Sequence, residues 1–313
     1  MCVYAEDEDR LLGQPSGCAA STEEQRKMSK PLNTTISHGV ISVVGRRRSM
    51  EDAVTIAPGL FHVSTNKPDD DDEVVLKVYD FFAVYNGCGS HVVAQRCKER
   101  LHHLVVEQSG DGVGVDRCWE RVMVSSFARM EDEFGSYNDD DLGVISDEVA
   151  VARSMALVVL VGKEEIVVAN CGHSRAILYR NGAATPLCRH QPERPEEKER
   201  IGTCTIKEQM MSAPEVTVHK RTISDDFLII ATDGLWNVVS NDMACDIVKK
   251  RCSGEVVSNK KVLDDGVIGN GADACAAMLV ELALARGSKD NISVIVVELR
   301  HFRLDGTSTS SSN

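Results

Sequence analysis

Of the 313 residues, 48 are acidic and 35 basic, and the net charge of -13 argues against nucleic acid, whose phosphates want a basic face, and against an anionic membrane surface. A hydrophobic fraction of 42% is enough to bury the core of one large domain. Eleven cysteines, an odd number at irregular spacing with no CxxC pair, suit reduced thiols in an intracellular protein of nucleus or cytoplasm better than a disulfide framework. Met1-Cys2-Val3-Tyr4 followed by Glu6-Asp7-Glu8-Asp9 does not read as a signal peptide, and no apolar run reaches transmembrane length.

Residues 1–35, polar and acidic with Gly13, Pro15 and Gly17, read as a flexible arm, and the ordered domain is expected over residues 36–300. A strand is predicted over Ile36–Val44 and extended chain again over Ala53–Ile56. Lys67–Glu73, with four consecutive aspartates, reads as a solvated loop that lacks the alternating oxygens of a calcium site. Val78–Tyr85 is an apolar, β-branched and aromatic run that reads as a buried strand, broken by a tight turn at Asn86-Gly87-Cys88-Gly89. Ser90 then caps a helix over His91–Val106, with Val92, Val93, Cys97, Leu101 and Leu104 on one face. A second helix is predicted over Asp116–Phe134 and an acidic loop over Gly135–Asp147. Ser154–Val161, Ile166–Asn170 and Arg175–Tyr179 read as three successive hairpin-linked strands, and Asn181-Gly182 as a hairpin turn. Glu193–Ile201 has helical composition, and Val216–Arg221 and Phe227–Ala231 read as strands. Next come a helix over Asn241–Cys252 capped by Ser240, a glycine-rich loop, a helix over Ala272–Arg286 and a strand over Ile292–Leu299. Residues 301–313 form a serine-rich tail expected to be disordered. Hairpin strands interrupted by paired long helices predict an α/β sandwich: two antiparallel sheets face to face with helices outside.

Five stretches carry candidate chemistry. They are Arg46-Arg47-Arg48-Ser49-Met50-Glu51-Asp52-Ala53, Asn86-Gly87-Cys88-Gly89, Ala169-Asn170-Cys171-Gly172-His173-Ser174-Arg175-Ala176, Ala231-Thr232-Asp233-Gly234-Leu235-Trp236-Asn237 and Asp290-Asn291-Ile292-Ser293-Val294. Each puts polar or charged residues at a strand end, where separate segments can converge on one cleft. In this order they resemble the motifs of the type 2C, metal-dependent protein serine/threonine phosphatases, across roughly Ile36–Leu299. Their wording, with Leu282-Ala-Leu-Ala-Arg286, is closest to the plant phosphatases of abscisic acid signalling.

The resemblance implies the family's sandwich fold and a site for two divalent ions, magnesium or manganese. Glu51, Asp52, Gly87, Asp233 and Asp290 stand at its metal positions, and Arg47 stands where the family clamps the substrate phosphate. Several positions depart from the family. Asn86 replaces the carboxylate that bridges the metals, although two dications about 4 Å apart repel by on the order of 16 kcal/mol at an effective dielectric of 20. Cys88 replaces the histidine that protonates the leaving group, His173 an aspartate, Asn237 a second acid, and Arg153 a small residue beside the sheet. Cys88 reads as an inert thiol, since a phosphate loop of the Cys-x5-Arg kind would need an arginine two positions before Arg96 and no fourth zinc ligand has metal-site spacing. After Arg200 the family's flap over the cleft, its receptor-contacting tryptophan and a core strand are missing or replaced, and the chain passes through Ile201–Ala213. The expected function is therefore an inactive phosphatase-like binding or decoy module, a pseudophosphatase in plant signalling. The alternative is a weak serine/threonine phosphatase working through Glu51, Asp52, Asp233 and Asp290. No tightly bound cofactor is expected beyond at most a residual magnesium or manganese ion. Protein kinases, phosphatase partners or other signalling proteins are the expected partners, and the hormone receptor a poor one.

Overall fold

The computed structural model describes residues 36–67, 70–88, 91–110, 118–135, 153–188, 213–252 and 271–299. Strands β1 (His38–Val43), β2 (Ala53–Lys67) and β3 (Asp70–Cys88) lead into helices α1 (His91–Ser109) and α2 (Trp119–Gly135). Strands β4 (Arg153–Gly162), β5 (Glu165–Cys171), β6 (Arg175–Arg180), β7 (Ala183–Pro186), β8 (Glu215–Lys220) and β9 (Asp225–Ala231) follow. Helices α3 (Asp233–Trp236), α4 (Asn241–Cys252) and α5 (Gly271–Ala285) and strand β10 (Ile292–Glu298) complete the fold. The strands form two five-stranded sheets, ordered β1-β10-β9-β6-β7 and β2-β3-β4-β5-β8. Every pairing is antiparallel, as the sandwich reading expects.

The central strands are buried on both faces, which is why they read as continuous apolar runs rather than alternating ones. In β3, Phe82 and Val84 point between the sheets toward Leu178, Leu228 and Ile295, while Phe81, Ala83 and Tyr85 point outward under Leu101, Leu104 and Phe127 of α1 and α2. On the other side Ile177, Ile229 and Val294 pack beneath α4 and α5. Gly39 in β1 lets α5 approach, since a Cβ there would lie 2.1 Å from the Asp273 nitrogen. Helix α4 is capped as predicted, with Met243 N donating to Ser240 Oγ at 3.3 Å, and its acidic first turn and basic last turn match the helix dipole. The Asn181-Gly182 turn has positive φ at both residues, 54° and 83°, as a two-residue hairpin of this type requires.

Three local expectations are corrected. Asn86, Gly87 and Cys88 are not a turn but the last rungs of β3, paired with Met155, Ser154 and Arg153, because β4 starts early enough to extend the ladder. Most of the predicted acidic loop is likewise strand: β2 and β3 pair as far as Lys67 and Asp70. The three successive strands are not one meander either, since β5 pairs with β4 and β8 while β6 pairs with β7 and β9 in the other sheet. The crossing runs through Gly172 at φ 130°, where a Cβ would lie 2.4 Å from Met155 Cβ. Asn170 steadies it by donating to the Ser174 carbonyl at 3.2 Å. The N-terminal arm, Ser90, most of the 135–147 loop, the 193–201 helix, residues 201–212, the glycine-rich loop and the tail lie outside the described residues. Among the described residues no helix is long and apolar enough to cross a membrane.

Candidate functional site

One end of the sandwich gathers the carboxyl ends of β1, β3, β5 and β9 and the starts of β2, β4, β6 and β10. Antiparallel pairing forces this: each strand that arrives here is answered by one that leaves. Arg47, Glu51 and Asp52 lie between β1 and β2, Asn86 at the end of β3, His173 between β5 and β6, Asp233 and Asn237 at the two ends of α3, and Asp290 just before β10. Arg47 and Lys289 flank an open depression of about 380 Å³ that Asn237, Ser288 and Asp290 also line.

The hydrogen bonds show how the carboxylates are held. Asn86 Nδ2 donates to Asp233 Oδ1 at 2.6 Å. Arg47 forms a two-pronged bond to Asp290, Nε to Oδ1 at 2.8 Å and Nη2 to Oδ2 at 2.9 Å. Asp52 is almost fully buried, and its Oδ2 accepts from the hydroxyls of Thr232 and Ser293, both at 2.9 Å. Burial pushes the Asp52 carboxyl up to about 7, against the pull of those two hydroxyls and with a push from the charges of Asp233 and Asp290. Asp233 is also raised, first by burial and then by Asp290, while His173 and the Asn237 amide oppose the shift. His173 and Asn237, two of the positions that depart from the family, therefore both act on Asp233, the carboxylate that Asn86 already holds. The side chains of Cys88 and Arg153 are not described, and their backbones face each other across the β3–β4 ladder.

Residues that sequence reasoning gave no role turn out to organise the site. Asn291 donates through Nδ2 to the carbonyls of Val44 at 2.8 Å and Ser49 at 3.0 Å and accepts from Glu51 N at 2.8 Å, pinning the arginine segment to the start of β10. Thr232 and Ser293 hold Asp52, and Ser293 N also donates to Thr232 Oγ1 at 3.1 Å. Gly234 lies against Asn291, whose carbonyl oxygen would be 1.9 Å from a Cβ there. All four belong to motif stretches visible in the sequence, and small or hydroxylated residues beside a buried aspartate were the available signal.

The family model for protein phosphatase 2C matches this chain over residues 36–203 and 202–292. The chain belongs to the protein phosphatase 2C family. A rice relative named "Probable protein phosphatase 2C 8" is 38% identical over 363 positions, covering 99% of this chain and 88% of its own length. That alignment is 50 positions longer than the 313 residues present here. "Protein phosphatase 2C 3" of Arabidopsis thaliana is 35% identical and covers 96% of this chain and 80% of its own. Among solved structures, the serine-threonine phosphatase 2C of Toxoplasma gondii superposes with a TM-score of 0.60 at 18% identity, covering 85% of this chain and 95% of that one. The catalytic domain of the phosphatase PstP, solved with two manganese ions, gives a TM-score of 0.54 at 15% identity over 84% and 98%. At such identities these superpositions speak to the fold alone.

The phosphatase 2C family is metal-dependent, so the donor set must be tested against two divalent ions. Such ions need anionic lone pairs from several carboxylates, one of them shared. Here the Asn86 amide aims N–H at Asp233, and Arg47 covers both oxygens of Asp290. Among the described residues no three His, Cys, Asp or Glu side chains converge in metal-holding geometry. The side chains as arranged do not fit a binuclear centre.

Proposed function

We propose that this phosphatase 2C family member does not hydrolyse phosphate esters and serves as a binding or decoy module in plant signalling, related to the abscisic acid branch. The observation that carries the reading is the Asn86–Asp233 hydrogen bond, a neutral amide donating where the family chemistry calls for a shared anion. Kinases, phosphatase partners or other signalling proteins are the proposed partners. A receptor that relies on a projecting tryptophan would find none. Trp119 and Trp236 are the chain's only two, each 5% exposed, with their indole N–H groups donated to Glu165 and to the Ala231 carbonyl. The family match divides at residues 202–203, in the stretch read as having the family's flap missing or replaced, and this supports the same view.

The test is turnover of p-nitrophenyl phosphate and a phosphoserine peptide in excess manganese, with an Asp233→Ala control. No difference from the control is expected. Turnover within about a hundredfold of an active relative would overturn the reading, because that factor is only ~2.7 kcal/mol. Retention of Glu51, Asp52, Asp233 and Asp290 around one cleft favours a second reading, a weak phosphatase using one ion. Calorimetry showing tight manganese binding would favour it.

A further inference from the structure

Between β1 and β2 the chain runs through Gly45-Arg46-Arg47-Arg48-Ser49-Met50, an irregular turn whose three arginines and serine are all exposed. Ser49 is the one serine of the chain with arginine at both the second and the third position before it, and a partly buried methionine follows. Guanidinium groups at those places offer forked donors to the carboxylates of a protein kinase's substrate groove, and an apolar side chain after the serine fits a neighbouring apolar pocket. Ser49 Oγ donates to Glu51 Oε1 at 3.3 Å, a long bond that is easily given up. Arg47 is tied to Asp290, but that arginine is half exposed, and such a pair exchanges readily for another carboxylate. Ser224 gives the contrast. Arg221 stands three positions before it, yet its guanidinium donates to the carbonyls of Gly162 at 3.0 Å and Leu299 at 3.2 Å, and a kinase could use it only by breaking both bonds.

We propose that Ser49 is a phosphorylation site, a substrate of serine kinases that select arginine on the N-terminal side of the modified residue. In the transfer Ser49 Oγ attacks the γ-phosphorus of ATP, and its proton passes to the kinase's base. The bond from that phosphorus to the bridging oxygen breaks, and ADP leaves. Seryl phosphate carries about −1.5 to −2 charges at pH 7 and brings three strong acceptor oxygens. Placed here, it loses the bond to Glu51, repels that carboxylate and competes with Asp290 for Arg47. One modification thus redraws the charge beside the depression that Arg47 and Asp290 line. The site does not depend on whether the chain hydrolyses phosphate esters.

The experiment incubates the full-length protein with ATP and the catalytic subunit of cyclic-AMP-dependent protein kinase, which selects paired arginines, and maps phosphate by mass spectrometry. Ser49 is expected to take phosphate at least about tenfold faster than Ser224, whose arginine must first be freed by local opening. Arg46→Ala, a change on an exposed turn, should slow modification of Ser49 by about tenfold or more, and Ser49→Ala should remove that phosphopeptide. The same assay on Asp233→Ala keeps this proposal distinct from the reading of the chain as inactive. Phosphate that accumulates on Ser49 only in that variant supports the site and shows that the natural chain removes it. No phosphate on Ser49 in either protein, phosphate confined to the other serines that follow basic pairs, Ser29 and Ser253, or an Arg46→Ala rate equal to the natural one would overturn the proposal.

Discussion

Asn86 Nδ2 lies 2.6 Å from Asp233 Oδ1, so a hydrogen bond joins one residue from the end of β3 to one from the start of α3. An amide can satisfy a buried carboxylate without help. An aspartate at the same place cannot, because two carboxylates at that distance repel unless a proton or a cation lies between them.

Asn86→Asp is therefore expected to create a requirement for metal. In chelator at pH 7.5 the variant is expected to lose roughly 2–3 kcal/mol of stability, the size of a hydrogen bond to a charged group. Millimolar manganese should recover that loss in the variant and leave the natural protein's melting temperature unchanged. Equal manganese shifts in the two proteins would refute the argument.

Activity is harder to restore than metal binding. In Asn86→Asp with Cys88→His, the imidazole of His173 and the amide of Asn237 still act on Asp233, and Arg47 still covers Asp290. Groups that work as a unit are not repaired one at a time. The double variant is expected to remain at least about a hundredfold below an active relative in kcat/KM, about 2.7 kcal/mol of transition-state stabilisation. Rates equal to the relative's in a phosphopeptide assay would show these other changes to be harmless.

Asp52 predicts a pH dependence. Its folded value near 7 lies above the ordinary 3.8, so between those values the native state holds a proton that the unfolded chain has released. The contribution is complete below about pH 4 and is lost as pH rises through 7. Asp52→Asn cannot titrate, so its stability relative to the natural protein should improve by up to roughly 4 kcal/mol between pH 4 and 8, at 1.36 kcal/mol per pH unit. Urea unfolding in chelator at several pH values measures this, and a constant difference between the two proteins would contradict it.

Away from the site, Asp225 is the most exacting ion-pair partner among the described residues. Its fully buried side chain accepts from Arg180 Nε at 2.5 Å, Arg180 Nη2 at 3.1 Å, Thr222 N at 3.1 Å and Thr222 Oγ1 at 2.9 Å. Asp225→Ala strands those donors and should cost about 3–5 kcal/mol. Arg47→Ala removes an equally well-aligned pair whose arginine is 50% exposed, and should cost no more than about 1 kcal/mol. Denaturant titration of both variants decides whether burial or geometry sets the cost.

The strands, the long helices and the order of the site motifs were legible in the chain itself. Runs such as Phe81–Tyr85 can only be buried, and the helix boundaries at His91 and Asn241 follow from periodicity and capping. Local patterning could not say where β3 ends, since the glycines around Cys88 read as a turn until β4 arrives to pair with Asn86, Gly87 and Cys88. It could not show that the chain changes sheets at Gly172, because a hairpin and a crossover between sheets share the same short glycine link. Nor could it reveal that Asn86 bonds to a residue 147 positions away, or that Asn291, Thr232 and Ser293 hold the carboxylates in place. Residue types were written in the sequence, but hydrogen bonds depend on distance and direction, and only the folding of two sheets onto one another brings those atoms within reach.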